Sequence, residues 1–554
     1  MRQHKSEPAG TLEPSSALLS RRSFVARGRD RWQRLRPVTR HWLTNVAIGV
    51  LIELLLHWAG HTLHWQPLVY AQNYALDAVM RANAAVDPTP PFPKNRAPLS
   101  LALIDIDDAA WRSSQWGGGE PYRAPRQQLL ALVDKAFEKG ARQVVLDVVV
   151  EGAHRPQELA EDDAFAGALD DLLAKPYFKS DPLKQLVLVR TLRHPLARNV
   201  RMADAPDQLR ELRYPEGYLS ELRESPRIDA VVKNSRDRIV VAAPYFTYSS
   251  DHVLRDWQLL QAVCARDADP QVPGKIRVVP SVQLAVLARH VGVAPDMLPG
   301  QRDSQGEAGD RGKAAQVAQT CTPFPMQEGA APNTRENARQ RSGALEKQIE
   351  LAINASWRAM HEGFKSKGID LGFGDKPPHA QSLANRVVFR IGDIPQLGQA
   401  QVIPALAFLN GASPQSLQDR VVVIGQSYLE AGDRHITPLG EMSGGMVLVN
   451  AIDSMARHSL IGSPNGWLTF ALALLLIVFV GYVFARWDSL VGTWISTGVA
   501  IVLLAVGSFY LFKYGVWLDF ALPLLGIQAH RMVKSMEERA EHKRLAQLAG
   551  GGHH

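Results

Sequence analysis

WLTFALALLLIVFVGYVFARWDSLVGTWISTGVAIVLLAVGSFYLFKYGVWLDFALPLLGIQA, residues 467–529, is nearly continuous apolar sequence, broken only at Arg486-Trp487-Asp488 and Lys513-Tyr514-Gly515. A bilayer core takes about 20 apolar residues per helix, so the stretch divides into spans at 467–485, 490–512 and 516–529. The last is short and encloses Asp519 and Pro523. Proline is tolerated in membrane helices where neighbours satisfy the freed carbonyl. Near the other end, WLTNVAIGVLIELLLHWAG marks one more span at 41–60, with Glu53 inside it. A carboxylate within a membrane helix is costly and faces a partner or a wet cavity. The sequence identifies no partner for Glu53, and a protonated or snorkelling side chain is the alternative.

Arginine crowds residues 21–40 before the first span, and Arg531, Lys534 and further basic residues follow the last. Positive charge stays on the cytoplasmic side, so four spans place both termini in the cytoplasm and 61–464 outside. Residues 1–40 lack apolar periodicity and read as a disordered basic cytoplasmic tail. Residues 530–554 read as a short cytoplasmic helical tail whose Met536, Ala540 and Leu545 share one face, a surface for a partner or a second copy. The net charge of +7 is concentrated beside the membrane. That placement suits anionic lipid, and no nucleic-acid motif accompanies it. SRRSFVA at 20–26 looks like a twin-arginine signal, but a polar stretch separates it from the apolar region, which favours a basic juxtamembrane arm. His57, His61 and His64 share a helix face, a geometry open to a metal, yet Trp58 and Trp65 beside them are the belt an interface recruits. The two cysteines, Cys264 and Cys321, fall in the external segment and could pair there.

Between the first two spans, alternation of buried-strand and amphipathic-helix patterns indicates an α/β external domain with a mainly parallel sheet covered by helices. LSLALIDID (99–107) is a strand, QQLLALVDKAFEKGA (127–141) a helix and RQVVLDVVV a strand. DDAFAGALDDLLAK then reads as a helix, and KQLVLVRTL and DRIVVAAPYF as strands. NRVVFRIG, QVIPALAFLNG and LQDRVVVIGQS later read as strand, helix and strand. A polar stretch at about 300–346 reads as a flexible insertion.

Ligands collect at the carboxyl ends of strands in open α/β sheets. Asp105, Asp107 and Arg126 follow the first strand, Asp147 the second, and Asp433 and His435 the last, before a Gly-Gly-Met turn opens a helix. These are the candidate ligand residues. The alternative is that such side chains cap loops and helix starts. Catalysis by the aspartates is a weaker reading, since no nucleophile elbow, zinc-binding helix, Cys-x-x-Cys or phosphate loop is present. No metal or cofactor is expected.

LIDIDDAAW, the Trp-Gly-x-x-x-Pro turn with Arg126, Lys139-Gly140-Ala141, Asp147 and the closing DRVVVIGQSYLEAGDRHITPLGEMSGG before three apolar spans together resemble the CHASE2 sensor domain of bacterial membrane receptors. The resemblance covers roughly 99–460 and the membrane block. It implies an extracytoplasmic sensor held between one N-terminal and three C-terminal helices of the bacterial inner membrane, usually joined to a kinase or cyclase. Here Gly444-Gly445 stands where a proline is expected, and the residues after 529 are too few for a catalytic domain. The expectation is therefore a non-enzymatic sensor, homo-oligomeric or coupled to a separate signalling protein. The alternative is a structural or assembly subunit of an envelope complex that uses the domain as a docking platform.

Overall fold

The computed structural model describes residues 35–550 apart from 62–64, 87–97, 120–124, 151–155, 191–219, 267–273, 300–319, 322–332, 372–375, 379–382, 413–415 and some single or paired positions. The disordered-tail reading of 1–40 falls largely outside these residues. The backbone forms two compact units. One comprises Met1–Ala75, Pro464–Ser508 and Leu518–His554, the other Leu76–Ser463 and Phe509–Trp517.

Two helices come first, α1 (Pro37–His61) and α2 (Gln66–Val86). The larger unit is then built on six strands, β1 (Leu101–Ile106), β2 (Gln143–Leu146), β3 (Gln185–Val189), β4 (Ile239–Ala242), β5 (Gln401–Pro404) and β6 (Val421–Gln426). They form one sheet in the order β5-β1-β6-β2-β3-β4, and every pairing is parallel. Strands buried on both faces read as apolar runs without alternation, and β2 and β3 are buried at every position.

Helices α3 (Arg126–Glu138) and α4 (Pro156–Ala174) cover one face. Leu129, Val133 and Phe137 of α3 and Phe165 and Leu169 of α4 meet Ile104, Val144 and Leu186 in a single apolar core. Burial of each such side chain contributes roughly 1.5–3 kcal/mol. Helices α5 (Val282–Val291) and, after the long α6 (Asn333–Ser366), α7 (Gly444–His458) pack together, α5 against β3 and α7 against β1 and β6. A second sheet orders Thr320–Cys321, Gly274–Pro280, Leu260–Arg266 and Ser220–Arg223, and the sequence reading did not anticipate it. Cys264 lies opposite Ile276 and Cys321 opposite Gly274, on the two sides of one strand. The side chains of both cysteines are outside the described residues.

Three readings of this domain change. NRVVFRIG is extended but not a sheet strand, because side chains of α7 take its amides: Ser454 Oγ accepts from Val388 N at 3.0 Å, and Asn450 Oδ1 from Arg390 N and Ile391 N at 2.9 Å each. QVIPALAFLNG is not one helix, since β5 occupies its start and only Ala405–Leu409 is helical. Helix α6 begins at Asn333, inside the range read as a flexible insertion. Arg, Gln, Glu and Ala are good helix formers however polar the segment.

The smaller unit adds α8 (Gly466–Arg486), α9 (Ser489–Phe512, with a π turn at Ile501–Ala505) and α10 (Ala521–Gly550). Among the described residues, three helices are long and apolar enough to cross a membrane, over Pro37–Ala59, Trp467–Arg486 and Ser489–Phe512. Helix α1 packs on α8 and α10, and α9 on α8 and α10. Glycines permit the close approach: a Cβ on Gly49 would stand 2.9 Å from Ile477, and one on Gly481 2.8 Å from Val46. The expected fourth span at 516–529 is not reproduced as drawn. Val516–Phe520 is not helical, and Asp519 caps α10 instead of lying within it, its Oδ1 accepting from Ala521 N at 2.9 Å. Pro523 thereby falls in the first turn, where no intrahelical donor is lost.

Candidate functional site

The carboxyl ends of the parallel strands converge on a cluster of acids. β1 and β6 pair in register, Asp105 beside Gly425, and Ser427 N continues the ladder by donating to Ile106 O at 3.1 Å. Ser427 Oγ donates to Asp105 Oδ2 at 2.8 Å, while Asp105 Oδ1 is buried without a partner. Burial raises the Asp105 carboxyl to about 6 against the Ser427 hydrogen bond, with Asp107 and Asp393 adding to the rise and Arg434 opposing it.

Asp147 directly follows β2, and its amide donates to Ile424 O at 2.8 Å. Its carboxyl is pushed up to about 8, by burial first and by the Asp433 charge second, although part of the residue still meets solvent. No cation offsets it among the described residues. Desolvation and a like charge both favour the neutral acid at Asp147, whereas Asp433 is differently placed.

Asp433 lies against the amino end of α7. Gly444 N donates to Asp433 O at 2.9 Å, and a Cβ on Gly444 would collide with the Asp433 carboxylate. The positive end of the helix favours an anion there. Asp433 Oδ1 also pairs with His435 Nε2 at 2.9 Å, and His435 Nδ1 lies 2.5 Å from the Tyr248 hydroxyl. If Nε2 carries the proton toward Asp433, Nδ1 accepts from Tyr248. The Gly444-Gly445 pair has a packing reason as well: a Cβ on Gly445 would stand 3.0 Å from Leu103 Cδ1 and 3.4 Å from Gly425 Cα. A proline at Gly444 would remove the amide that Asp433 O accepts.

On the rim, Arg434 Nε donates to Glu441 Oε1 at 2.6 Å and Nη2 to Asp393 Oδ2 at 3.3 Å. Trp111 stacks on Tyr428 with ring centroids 5.2 Å apart.

The structure thus brings Asp105, Asp147, Asp433 and His435 to one edge of the sheet. Asp107 is at that edge as a cap, its Oδ1 accepting from Ala110 N at 2.8 Å. Arg126 is engaged elsewhere, 2.7 Å from Asp162 and 5.8 Å from the Phe165 ring, both on α4. The cation beside the acids is Arg434. Tyr248 and Asp393 were not singled out from sequence. Asp393 follows a segment misread as a strand, and Tyr248 is far from the closing motif in the chain, so neither carried a local signal. No group of residues with metal-ligand geometry occurs among the described residues. Of the three histidines read as a possible metal face, His64 lies outside them.

No curated protein and no solved structure matches the chain. The family model of the CHASE2 domain matches residues 47–485, most of the chain, and the protein belongs to the CHASE2 domain family.

Proposed function

We propose that this protein is a multi-pass sensor of the bacterial inner membrane. Its α/β domain faces the periplasm, and its ligand site is the acidic carboxyl edge of the sheet. Family membership supports a sensory domain over a catalytic one. Three long apolar helices support membrane insertion, and the basic residues before α1 and in the later part of α10 support cytoplasmic termini. We read the first part of α10 as the fourth crossing, since it packs on α1 and α9. A single helix then continues into the charged residues 537–544, a route by which the domain's state reaches a cytoplasmic signalling partner.

The observation that carries the ligand assignment is the crowding of carboxyl groups at the sheet edge. Asp147, buried beside Asp433, and Asp105, with one buried oxygen that has no donor, both resist ionisation there. A small cationic ligand relieves both conditions. The test is thermal unfolding of the full-length protein in lipid nanodiscs against divalent cations, polyamines and basic amino acids. A ligand bound at about 100 times its Kd adds about 2.7 kcal/mol. The expected outcome is a concentration-dependent rise in Tm that Asp433→Asn abolishes. A panel without effect, or a rise unchanged by Asp433→Asn, sinks the assignment.

Exposed apolar side chains near this edge favour a second reading, a docking platform in an envelope complex. Ile394 is 90% exposed, Leu429 71% and Ile436 56%. Mild-detergent extraction with quantitative mass spectrometry separates the two. A stoichiometric kinase or cyclase supports the sensor, whereas stoichiometric envelope components support the platform.

A further inference from the structure

The smaller unit contains a cavity of about 40 Å³ between α1, α8 and α10. Gly49, Ala473, Leu476, Ile477, Val480, Pro523, Gly526 and Ile527 give it an apolar wall, and two side chains alone are ionisable, Glu53 from α1 and His530 from α10. His530 is 2% exposed, its Nδ1 is buried with no hydrogen-bond partner, and the Phe484 ring packs on it at 4.8 Å. No described residue hydrogen-bonds to Glu53. An imidazole nitrogen and a carboxylate, both lacking donors or acceptors, therefore open into one small space. Roughly 10–15 Å³ suffices for one water, so the space also accommodates a bridging molecule.

Satisfied polar groups surround the pair without answering it. Asp519, which acts electrostatically on Glu53, accepts from Gln72 Nε2 at 2.7 Å and from Ala521 N. Lys534 and Glu537 act on His530 from further along α10. The wall from α8 carries no ionisable group. At the far end of the bundle Ser489 Oγ donates to Glu538 Oε2 at 2.9 Å. Ionisable residues within a membrane bundle are expensive and mark ion or proton sites.

We propose that Glu53 and His530 form an intramembrane proton-binding site. A proton from bulk water is held on the Glu53 carboxyl and shared with His530 Nδ1: the O–H bond breaks as the N–H bond forms, and no other reactant is needed. Occupancy acts on helix packing, because Glu53 lies one turn from Gly49, where α1 packs closely on Ile477 of α8. The inference rests on α1 and α10 lying in the bilayer.

Infrared difference spectroscopy of the full-length protein in nanodiscs tests it, following the carboxylic C=O band from acid to alkaline pH. A band that titrates in the wild type, vanishes in Glu53→Gln and returns in Glu53→Asp is expected. Its midpoint moves by about one pH unit or more in His530→Gln. A band unaffected by Glu53→Gln, or a midpoint indifferent to His530→Gln, overturns the proposal. Labelling of Val50→Cys and Leu525→Cys with a membrane-impermeant maleimide tests the bilayer placement separately. Protection is expected, and rapid labelling overturns the intramembrane site whatever the spectra show.

Discussion

The α/β domain buries acids in two different ways. Toward the carboxyl end of α7, Asp453 accepts from Arg390 Nε and Nη2 at 3.1 and 2.8 Å and from Arg457 Nε at 2.9 Å, and Asn450 secures the neighbouring backbone. Asp77 is held likewise by Arg255, which also binds Asp251. Every such carboxylate meets a guanidinium. At the opposite end of α7, Asp105 and Asp147 are buried beside other acids, and their proton affinity rises, from burial first and from the like charges second. The same helix thus anchors a closed polar network and borders an open one. The closed network has the form of a structural device, and the open one has a charge deficit that something else can fill.

The largest expected effect tests the closed network. Asp453→Ala leaves Arg390, 5% exposed in its side chain, as a buried cation without its acid. Removing one member of a buried pair costs about 3–5 kcal/mol, measured as a lower denaturation midpoint of the full-length protein. A loss below about 1 kcal/mol would mean that Arg390 finds another acceptor and that the contrast between the two ends of α7 is overstated.

Next comes the packing on which the open site stands. In Gly425→Ala the new Cβ falls 3.0 Å from Gly445 Cα, a backbone atom that cannot rotate away. Overpacking of this kind costs about 1–3 kcal/mol, and the shift of α7 carries its amino end away from Asp433. Circular dichroism melts give the stability loss, and weakened Tm response to the ligand that stabilises the wild type gives the local one. Full ligand response in a destabilised variant would separate the site from the α7 contact.

The parallel sheet was legible because β1, β2, β3 and β6 are apolar runs too short for helices, with α3 and α4 between successive pairs showing helical periodicity. The membrane block was legible from length and apolarity. Sequence failed where side chains replaced backbone partners: NRVVFRIG has strand composition, yet its amides go to Asn450 and Ser454, about 60 residues further on. It failed again at Asp519 and Pro523, which look like blemishes inside a span and instead start a helix. Of the candidate residues, the strand-end rule picked out four that the fold brings to one edge of the sheet, Asp105, Asp147, Asp433 and His435. Arg126 stands apart from them, because its partner Asp162 belongs to the next crossover helix.

A smaller effect, of opposite sign, distinguishes the open cluster from the closed one. Asp147 has its carboxyl raised from 3.8 to about 8, so the folded protein binds this proton more tightly than the unfolded chain. The associated stability is fully present below pH 3.8 and is lost as pH rises through about 8. Asp147→Asn removes the charge and therefore stabilises the domain at alkaline pH. The gain is of order 2 kcal/mol, less than the whole shift implies because solvent reaches part of the residue. The slope of Tm against pH between neutral and alkaline solution flattens with it. A variant that loses stability at alkaline pH would place Asp147 among the structural acids.

The smallest effect belongs to Asp105, which Ser427 partly compensates. Its window runs from 3.8 to about 6, and again stability is present at the acid end and lost as pH climbs through the upper value. Asp105→Asn leaves an amide oxygen for Ser427 Oγ and removes the charge that Asp107 and Asp393 oppose, giving a gain of order 1 kcal/mol above pH 6. Ser427→Ala acts in the other direction, withdrawing the one hydrogen bond that favours the carboxylate and moving the Asp105 midpoint upward. Melts above pH 6 read the first effect, and titration of the Asp105 carboxyl carbon by NMR in the wild type and in Ser427→Ala reads the second. An upward shift in Ser427→Ala, with the Asp453 signal unmoved, shows that the acids at the two ends of α7 titrate independently. Coupled shifts would show that α7 transmits charge from the open edge to the closed network, in which case ligand binding at the first is felt as a change of stability at the second.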